Sequence, residues 1–301
     1  MHRTRTSRRL ASLLLLTLPV FMTGCDTVVI KPSGDIAAQQ GHLVVVSTVL
    51  MLLIIVPVIL LTLFFAWRYR QSNKSAAYDP EWDHSTTLEL VIWTAPLLII
   101  IALGAITWIS THTLDPYRRL DRIDAARPLP ADSRPLVVDV VALDWKWLFI
   151  YPEQGIATVN ELAAPVDRPI HFNITASSVM NSFYIPALAG QIYAMPGMQT
   201  QLNAVINKAG NYQGFSANYS GAGFSDMNFQ FRGLSEADFE HWVQSAKSGS
   251  ARLDDAAYKD LVQPSVRVPV QRFGDVQAEL FDRIVGGCFG AGAMCMNAMG
   301  H

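Results

Sequence analysis

Residues 214–227 read GFSANYSGAGFSDM, and the fold class of the chain turns on how that stretch is understood. Small polar side chains stand at Ser216 and Ser220, followed by Phe224 and Met227, with glycines between them that let the backbone double back tightly. This is the outline of a metal-ligand loop. A soft transition metal needs thiolate, imidazole and thioether donors converging on one point, and of these only Met227 is present. The stretch reads as a metal site with its chemistry removed.

Around it lie short β-branched and aromatic runs broken by Gly, Pro and Asn, which predict strands at 136–143, 146–151, 170–176, 191–194, 200–206, 210–217 and 228–231. Their spacing predicts a β-sandwich or barrel over 136–233. Pro152, Pro165, Pro169 and Pro186 fit strand ends and edges. After Gly233 the signal turns helical. Ser235 and Asp238 ahead of Phe239 and Trp242 make a capping-box pattern, and further helical pieces are expected at 254–262 and 275–285, inside an extension over 234–285. A Gly/Met-rich tail, 286–301, is expected to be flexible.

Upstream the chain is apolar. Half of its 301 residues are hydrophobic and only 16% are charged, too greasy a balance for an ordinary soluble domain. Two uncharged runs are long enough to span a bilayer, giving predicted helices at 43–67 and 88–111 with Pro57 and Pro96 inside them. The loop between them, 68–87, carries Arg68, Arg70 and Lys74, which places it in the cytoplasm. A charged, Pro-rich linker, 112–135, follows the second span, and 25–42 is an exported N-terminal segment. Glu89 stands at the cytoplasmic mouth of the second span. It is either a solvated interfacial carboxylate or a proton-uptake group, since ionisable residues at membrane depth mark ion pathways.

Residues 1–24 have the form of an export signal: Arg3, Arg5, Arg8 and Arg9, then an apolar run, then Met22-Thr23-Gly24-Cys25. The ending is similar to a bacterial lipoprotein signal, in which Cys25 is lipidated and becomes the N-terminus; an ordinary signal with an incidental cysteine is the alternative. An acyl chain adds roughly 0.8 kcal/mol per buried CH₂, a secondary anchor beside two spanning helices. A net charge of -2 gives no reason to expect a nucleic-acid partner. His42, His84, His112, His171 and His241 are scattered without ligand spacing, and Asp139 and Asp144 form no acid–base pair. Cys288 and Cys295, among Met294, Met296, Met299 and His301, leave three readings open: a disulfide, free thiols or a Cu(I) site.

An export signal, a two-helix hairpin and an exported β-domain resemble subunit II of the haem–copper respiratory oxidases. DWKWLFIYPEQGIATVNE at 144–161, VMNSFYIP, AGQIYAMPGM and GFSANYSGAGFSDM follow in that family's order. The resemblance implies membrane α plus all-β architecture: a transmembrane hairpin, then a cupredoxin-like β-sandwich with a short helical C-terminal extension. It also implies where the copper ligands of the cytochrome c oxidase branch fall. The histidines map to Asn181 and Phe224, the cysteines to Ser216 and Ser220, the carbonyl contributor to Asn218, and the methionine to Met227.

Serine hydroxyls are hard donors that cannot replace bridging thiolates, so no metal is expected in this loop. Loss of four ligands together resembles the quinol oxidase branch of the family, the cytochrome bo type in particular. There the donor is ubiquinol in the membrane, and the haems and copper belong to subunit I. The resemblance implies an inner-membrane, lipid-anchored, multi-pass subunit with a periplasmic C-terminal domain and no cofactor of its own. Its partners are subunit I, further small membrane subunits and membrane lipid, with no cytochrome c. It also strengthens the proton-uptake reading of Glu89. Trp145 and Trp147, with no electron to carry, are expected to pack. A copper-carrying cytochrome c oxidase subunit II and a free-standing copper-binding lipoprotein are the alternatives, and the missing ligands disfavour the first.

Overall fold

The computed structural model describes residues 27–77, 79–249 and 251–289. The export signal, Cys25 and Cys295 lie outside the described residues. Contacts divide the chain into two units, residues 42–118 and residues 1–41 with 119–301.

The first unit carries two long helices. Helix α1 spans Asp35–Arg68, of which the first seven residues belong to the other unit, and α2 spans Thr86–Thr113. Both run unbroken through Pro57 and Pro96, and no residue in the most apolar window of either helix is buried. Thr48 and Thr62 turn their hydroxyls back onto the carbonyls of Val44 and Val58, so neither presents a bare polar group to its surroundings. The helices overrun the predicted spans of 43–67 and 88–111, because hydropathy marks the stretch that suits lipid rather than the stretch that is helical.

The second unit is a sandwich of two sheets. Strands β1 (Leu136–Leu143), β2 (Lys146–Tyr151), β3 (Ile156–Val159), β5 (Pro169–Ala176), β8 (Thr200–Val205) and β12 (Gln271–Phe273) form one sheet in the order β12-β3-β2-β1-β5-β8. The other is β4 (Glu161–Pro165), β6 (Asn181–Tyr184), β7 (Ile192–Ala194), β9 (Gly210–Ser216) and β10 (Asn228–Leu234), in the order β4-β10-β9-β6-β7. Pairing is antiparallel except for β1 with β5 and β4 with β10. This is the cupredoxin-like arrangement that the sequence predicts.

Strand β1 reads LVVDVVAL, apolar on both faces, and the structure covers both. Leu136, Val138, Val140 and Ala142 face the interior of the sandwich beside Trp147, Phe149, Phe183 and Phe229. Val141 and Leu143, with Leu148 and Ile150 of β2, face outward and are roofed by Leu253, Tyr258, Leu280, Phe281 and Ile284 of the C-terminal arm. The arm consists of α3 (Glu236–Lys247), β11 (Arg252–Leu253), α4 (Asp255–Leu261), β12, β13 (Asp275–Val276) and α5 (Leu280–Val285). Helix α3 begins as its capping pattern predicts, with the Ser235 hydroxyl accepting from the Asp238 amide at 3.1 Å.

The expected helix at 275–285 is corrected. Residues Gln271–Phe273 pair with β3 and Asp275–Val276 pair with β11, and Glu279 sits at a φ of 58°, so only the last turn and a half is helical. Long-range pairing overrides local helix propensity here.

A buried carboxylate and a buried lysine fasten the added segments. Asp35 accepts two hydrogen bonds from Arg122 at 2.9 and 3.1 Å, and the amides of Ser33 and Gly34 donate to the Ala187 carbonyl. Residues 33–41 therefore pack onto the sandwich itself. A side chain at Gly34 would meet the carbonyl oxygens of Leu188 and Val205 at 2.6 and 2.7 Å, which only glycine avoids. Lys146 is buried and donates to the Asp144 and Gln263 carbonyls and the Ser265 hydroxyl, tying the arm to β2.

Asp139, on the outward face of β1, lines a cavity of about 230 Å³ shared with Glu279 and Asp282. Burial pushes its carboxyl up to about 6, opposed by a 2.8 Å hydrogen bond from Asn173 and reinforced by Asp282. The raised value makes the protonated form the stabilising one. That contribution is full below the unfolded value near 3.8 and is lost as the pH rises through about 6. Asp139→Asn keeps an acceptor for Asn173 and removes the charge. Denaturant unfolding of the purified chain should show the variant more stable by ~1–3 kcal/mol at pH 7.5, with the gain vanishing near pH 4.

Candidate functional site

The ligand-outline residues converge at one end of the sandwich. Strand β6 supplies Asn181, β9 ends at Ser216, and the loop to β10 supplies Asn218, Ser220, Phe224 and Met227, with a single 3-10 turn at Phe224–Asp226. Asn181, Ser216 and Met227 are buried. The Ser216 hydroxyl donates to Asn181 Oδ1 at 3.0 Å, and Ser182 donates to Asn218 Oδ1 at 2.7 Å. The Asn181 amide donates to the Val179 carbonyl, and the Asn218 amide to the Met180 carbonyl. The Ser220 hydroxyl lies 3.9 Å from Met227 Sδ. The polar atoms of the cluster are thus turned onto one another and onto the backbone.

Copper does not suit this donor set. Two hydroxyls, an amide and a phenyl ring offer neither thiolate nor imidazole, and a lone thioether is a weak ligand. Phe224 instead packs edge-to-face on Tyr219 with ring centroids 5.8 Å apart. Beneath the loop Phe183 and Phe229 stack at 5.5 Å with Trp147 against both.

One aromatic contact holds the loop in place. Trp145, in the turn between β1 and β2, adopts a φ of 71°, uncommon for a bulky residue. Its indole N–H donates to the Ser220 carbonyl at 3.1 Å, and its ring covers Gly221 and Gly223. A Cβ at Gly223 would lie 2.4 Å from that ring. Gly223→Val should therefore cost about 1–3 kcal/mol in unfolding free energy and alter tryptophan fluorescence. An unchanged melt and spectrum would show that the ring does not hold the loop.

Glu89 lies in the first turn of α2, where a carboxylate favours the helix dipole. Sequence reading treats His84 as ordinary, yet its Nδ1 stands 2.8 Å from Glu89 Oε1 and its Nε2 3.1 Å from Thr86 Oγ1. No periodicity signals a pair five residues apart across a loop-to-helix junction. His171 meets Asn203 at 2.8 Å. Cys288 is disulfide-bonded.

Comparison with known proteins places this geometry. A family model described as Cytochrome C oxidase subunit II, periplasmic domain, matches residues 153–233, and one described as COX Aromatic Rich Motif matches residues 247–292 of the arm. The chain is 48% identical over 266 residues to cytochrome bo(3) ubiquinol oxidase subunit 2 of Pseudomonas putida, covering 88% of this chain and 82% of the relative. It is 50% identical over 277 residues to ubiquinol oxidase subunit 2 of Acetobacter aceti, covering 92% and 88%. It is 38% identical over 264 residues to quinol oxidase subunit 2 of Bacillus cereus, covering 86% and 87%. The chain belongs to the subunit II family of the haem–copper oxidases, in its quinol oxidase branch, cytochrome bo(3) ubiquinol oxidase subunit 2.

Proposed function

We propose that the chain is the cofactor-free subunit II of a proton-translocating ubiquinol:oxygen oxidoreductase of the aerobic respiratory chain. Electrons pass from ubiquinol in the membrane to the haems and copper of subunit I without touching the periplasmic domain. The observation that carries this reading is the self-satisfied cluster at Asn181, Ser216, Asn218, Ser220 and Met227, where every polar group already has a protein partner or faces the thioether.

The subunit's work is assembly and coverage of subunit I. Val179, Met180, Tyr193, Met198 and Tyr219 are large, exposed apolar side chains on the strands and loops around the emptied site, and an exposed apolar patch of this kind suits a protein partner. We assign that partner as subunit I, with further small membrane subunits alongside the helices. The domain plan we propose runs in the order signal, hairpin, linker, cupredoxin-like domain and arm. Residues 33–41 pack on the sandwich, which supports the N-terminal segment and the β-domain sharing the periplasmic side, with the loop 68–87 in the cytoplasm. Cys25 is the lipid attachment point, and Cys295 is the partner of Cys288. Glu89 takes up protons from the cytoplasm.

Purification tests the assignment. The tagged chain should leave detergent extracts with a haem-bearing partner that oxidises ubiquinol; isolation alone would overturn the reading. Glu89→Gln should lower turnover of that complex by about tenfold, with haem content unchanged. Unaltered turnover and pumping would remove Glu89 from proton uptake.

A further inference from the structure

We propose that Val28, Val29 and Ile30 form an apolar knuckle that enters the outer leaflet of the bilayer and seats the periplasmic unit on lipid. The inference rests on α1 crossing the membrane, and not on the readings of Glu89 or Cys25. The three side chains are 50%, 40% and 54% exposed, although each is branched and apolar. They stand in a tight turn whose first residue, Thr27, accepts from the amides of Ile30 and Lys31 at 3.0 and 3.2 Å. Those two donors are satisfied inside the turn, which lowers the cost of bringing it to hydrocarbon. Turns are ordinarily built from Gly, Asn, Asp, Ser and Pro. Three consecutive branched apolar side chains at a turn call for a cover.

The place of the turn identifies that cover. The Val29 carbonyl rests on Gly41, where an added Cβ would come within 2.5 Å of its oxygen. This close approach holds the turn against α1 at the level of residue 41. Two residues on, about 3 Å of helix rise, α1 enters the uncharged run that starts at Leu43 and continues to Ala66. The knuckle therefore stands where the helix meets the lipid surface. It is held there from behind as well, by the Ser33 and Gly34 amides on the Ala187 carbonyl and by Asp35 on Arg122. Composition favours lipid over a protein partner. Protein interfaces draw their strength from Trp, Tyr and Arg, whereas Val28, Val29 and Ile30 carry no directional group. Burial of aliphatic surface is non-directional, so a fluid apolar phase accepts it without a matching surface. Apolar elements that lie at the interface reach roughly 5–10 Å into the headgroup and acyl boundary.

The test uses the purified oxidase complex in phospholipid nanodiscs, carrying Ile30→p-benzoylphenylalanine, with irradiation followed by mass spectrometry. Ile30 takes the probe because it is the most exposed of the three. The expected product is this chain with the mass of one bilayer phospholipid added on the peptide that holds residue 30. Attachment to another subunit, attachment to the chain's own N-terminal acyl group, or no adduct at all overturns the proposal. Because the probe is itself hydrophobic, a second variant combines Val28→Ser, Val29→Ser and Ile30→Ser. Its amide hydrogen exchange over residues 27–34, measured in the same nanodiscs, should rise several-fold over the natural complex. Exchange in β1 and β2 and the rate of ubiquinol oxidation should not change. Unaltered exchange over 27–34 overturns the proposal too, since hydroxyls would then hold the turn as well as the aliphatic side chains do.

Discussion

Replacing Glu161 by alanine is expected to destabilise the periplasmic unit by ~2–4 kcal/mol, the largest loss from any single charged side chain here. Glu161 opens β4 and its side chain is 5% exposed. It accepts from Arg272 Nε and Nη2 at 2.9 and 3.2 Å, and from Arg232 Nη1 at 3.4 Å. Arg272 comes from β12 of the arm, donates also to Ser245, and lies 6.0 Å over the Trp242 ring. One carboxylate therefore joins β4, β10, α3 and the arm. Its removal strands two guanidinium groups that are each about one-third exposed, and their partial access to water keeps the loss below that of a fully buried pair. For a unit of this size that is a fall of roughly 5–15 °C in melting temperature. Glu161→Gln should cost about half as much, since it keeps one acceptor oxygen. A double-mutant cycle with Arg272→Ala should give coupling above ~1 kcal/mol; near-zero coupling would mean that the pair does not hold the arm.

Much of this architecture was legible because the relevant signals are local. The strands at 136–143 and 146–151 fall where β-branched and aromatic runs predict them, and both long helices follow from uninterrupted apolar stretches. What escaped depends on distant partners. Strand β3, IATV, is β-branched but only four residues long, and β4, ELAAP, is rich in alanine and ends in proline; both form because β2, β12 and β10 pair with them. Strand β6, NSFY, is too short to signal a strand by itself.

The arm's position over the outer face was half visible. In KWLFIY, Trp147, Phe149 and Tyr151 face inward, while Leu148 and Ile150 form an apolar outer row that needs a cover. Lys146 falls in that outer row, and a lysine in a strand ordinarily points to water. Its burial under Gln263 and Ser265 follows only once the arm is in place. The site positions were assigned by resemblance, and the fold brings Asn181, Ser216, Asn218, Ser220 and Met227 together; their hydrogen-bond network and the His84 contact required coordinates.

Returning four side chains to the loop should convert it into a copper centre. In a variant carrying Asn181→His, Ser216→Cys, Ser220→Cys and Phe224→His, two thiolates, two imidazoles and the existing Met227 thioether would stand at converging positions. Ser216 already touches Asn181 at 3.0 Å, and Ser220 already faces Met227 Sδ at 3.9 Å, so two of the required approaches exist before any metal arrives. The Ser216 amide donates to the Met227 carbonyl at 3.2 Å, which closes the loop's two ends. The indole of Trp145 over Gly221 and Gly223 fixes the segment between the cysteine positions and the second histidine. A frame held this way before binding spends little ligand energy on ordering. The expected result is tight uptake of two copper ions per chain with an intense purple colour from thiolate-to-copper charge transfer, and none in the natural protein. The substitutions also replace the Asn181–Ser216 hydrogen bond, so the apo-variant should be less stable by about 1–3 kcal/mol and regain stability on binding metal. A variant that folds, keeps reduced thiols and still binds no copper would show that these positions do not form an emptied ligand cage. On the function proposed above, successful loading would leave quinol oxidation unaltered, because electrons would reach subunit I without passing through the loop.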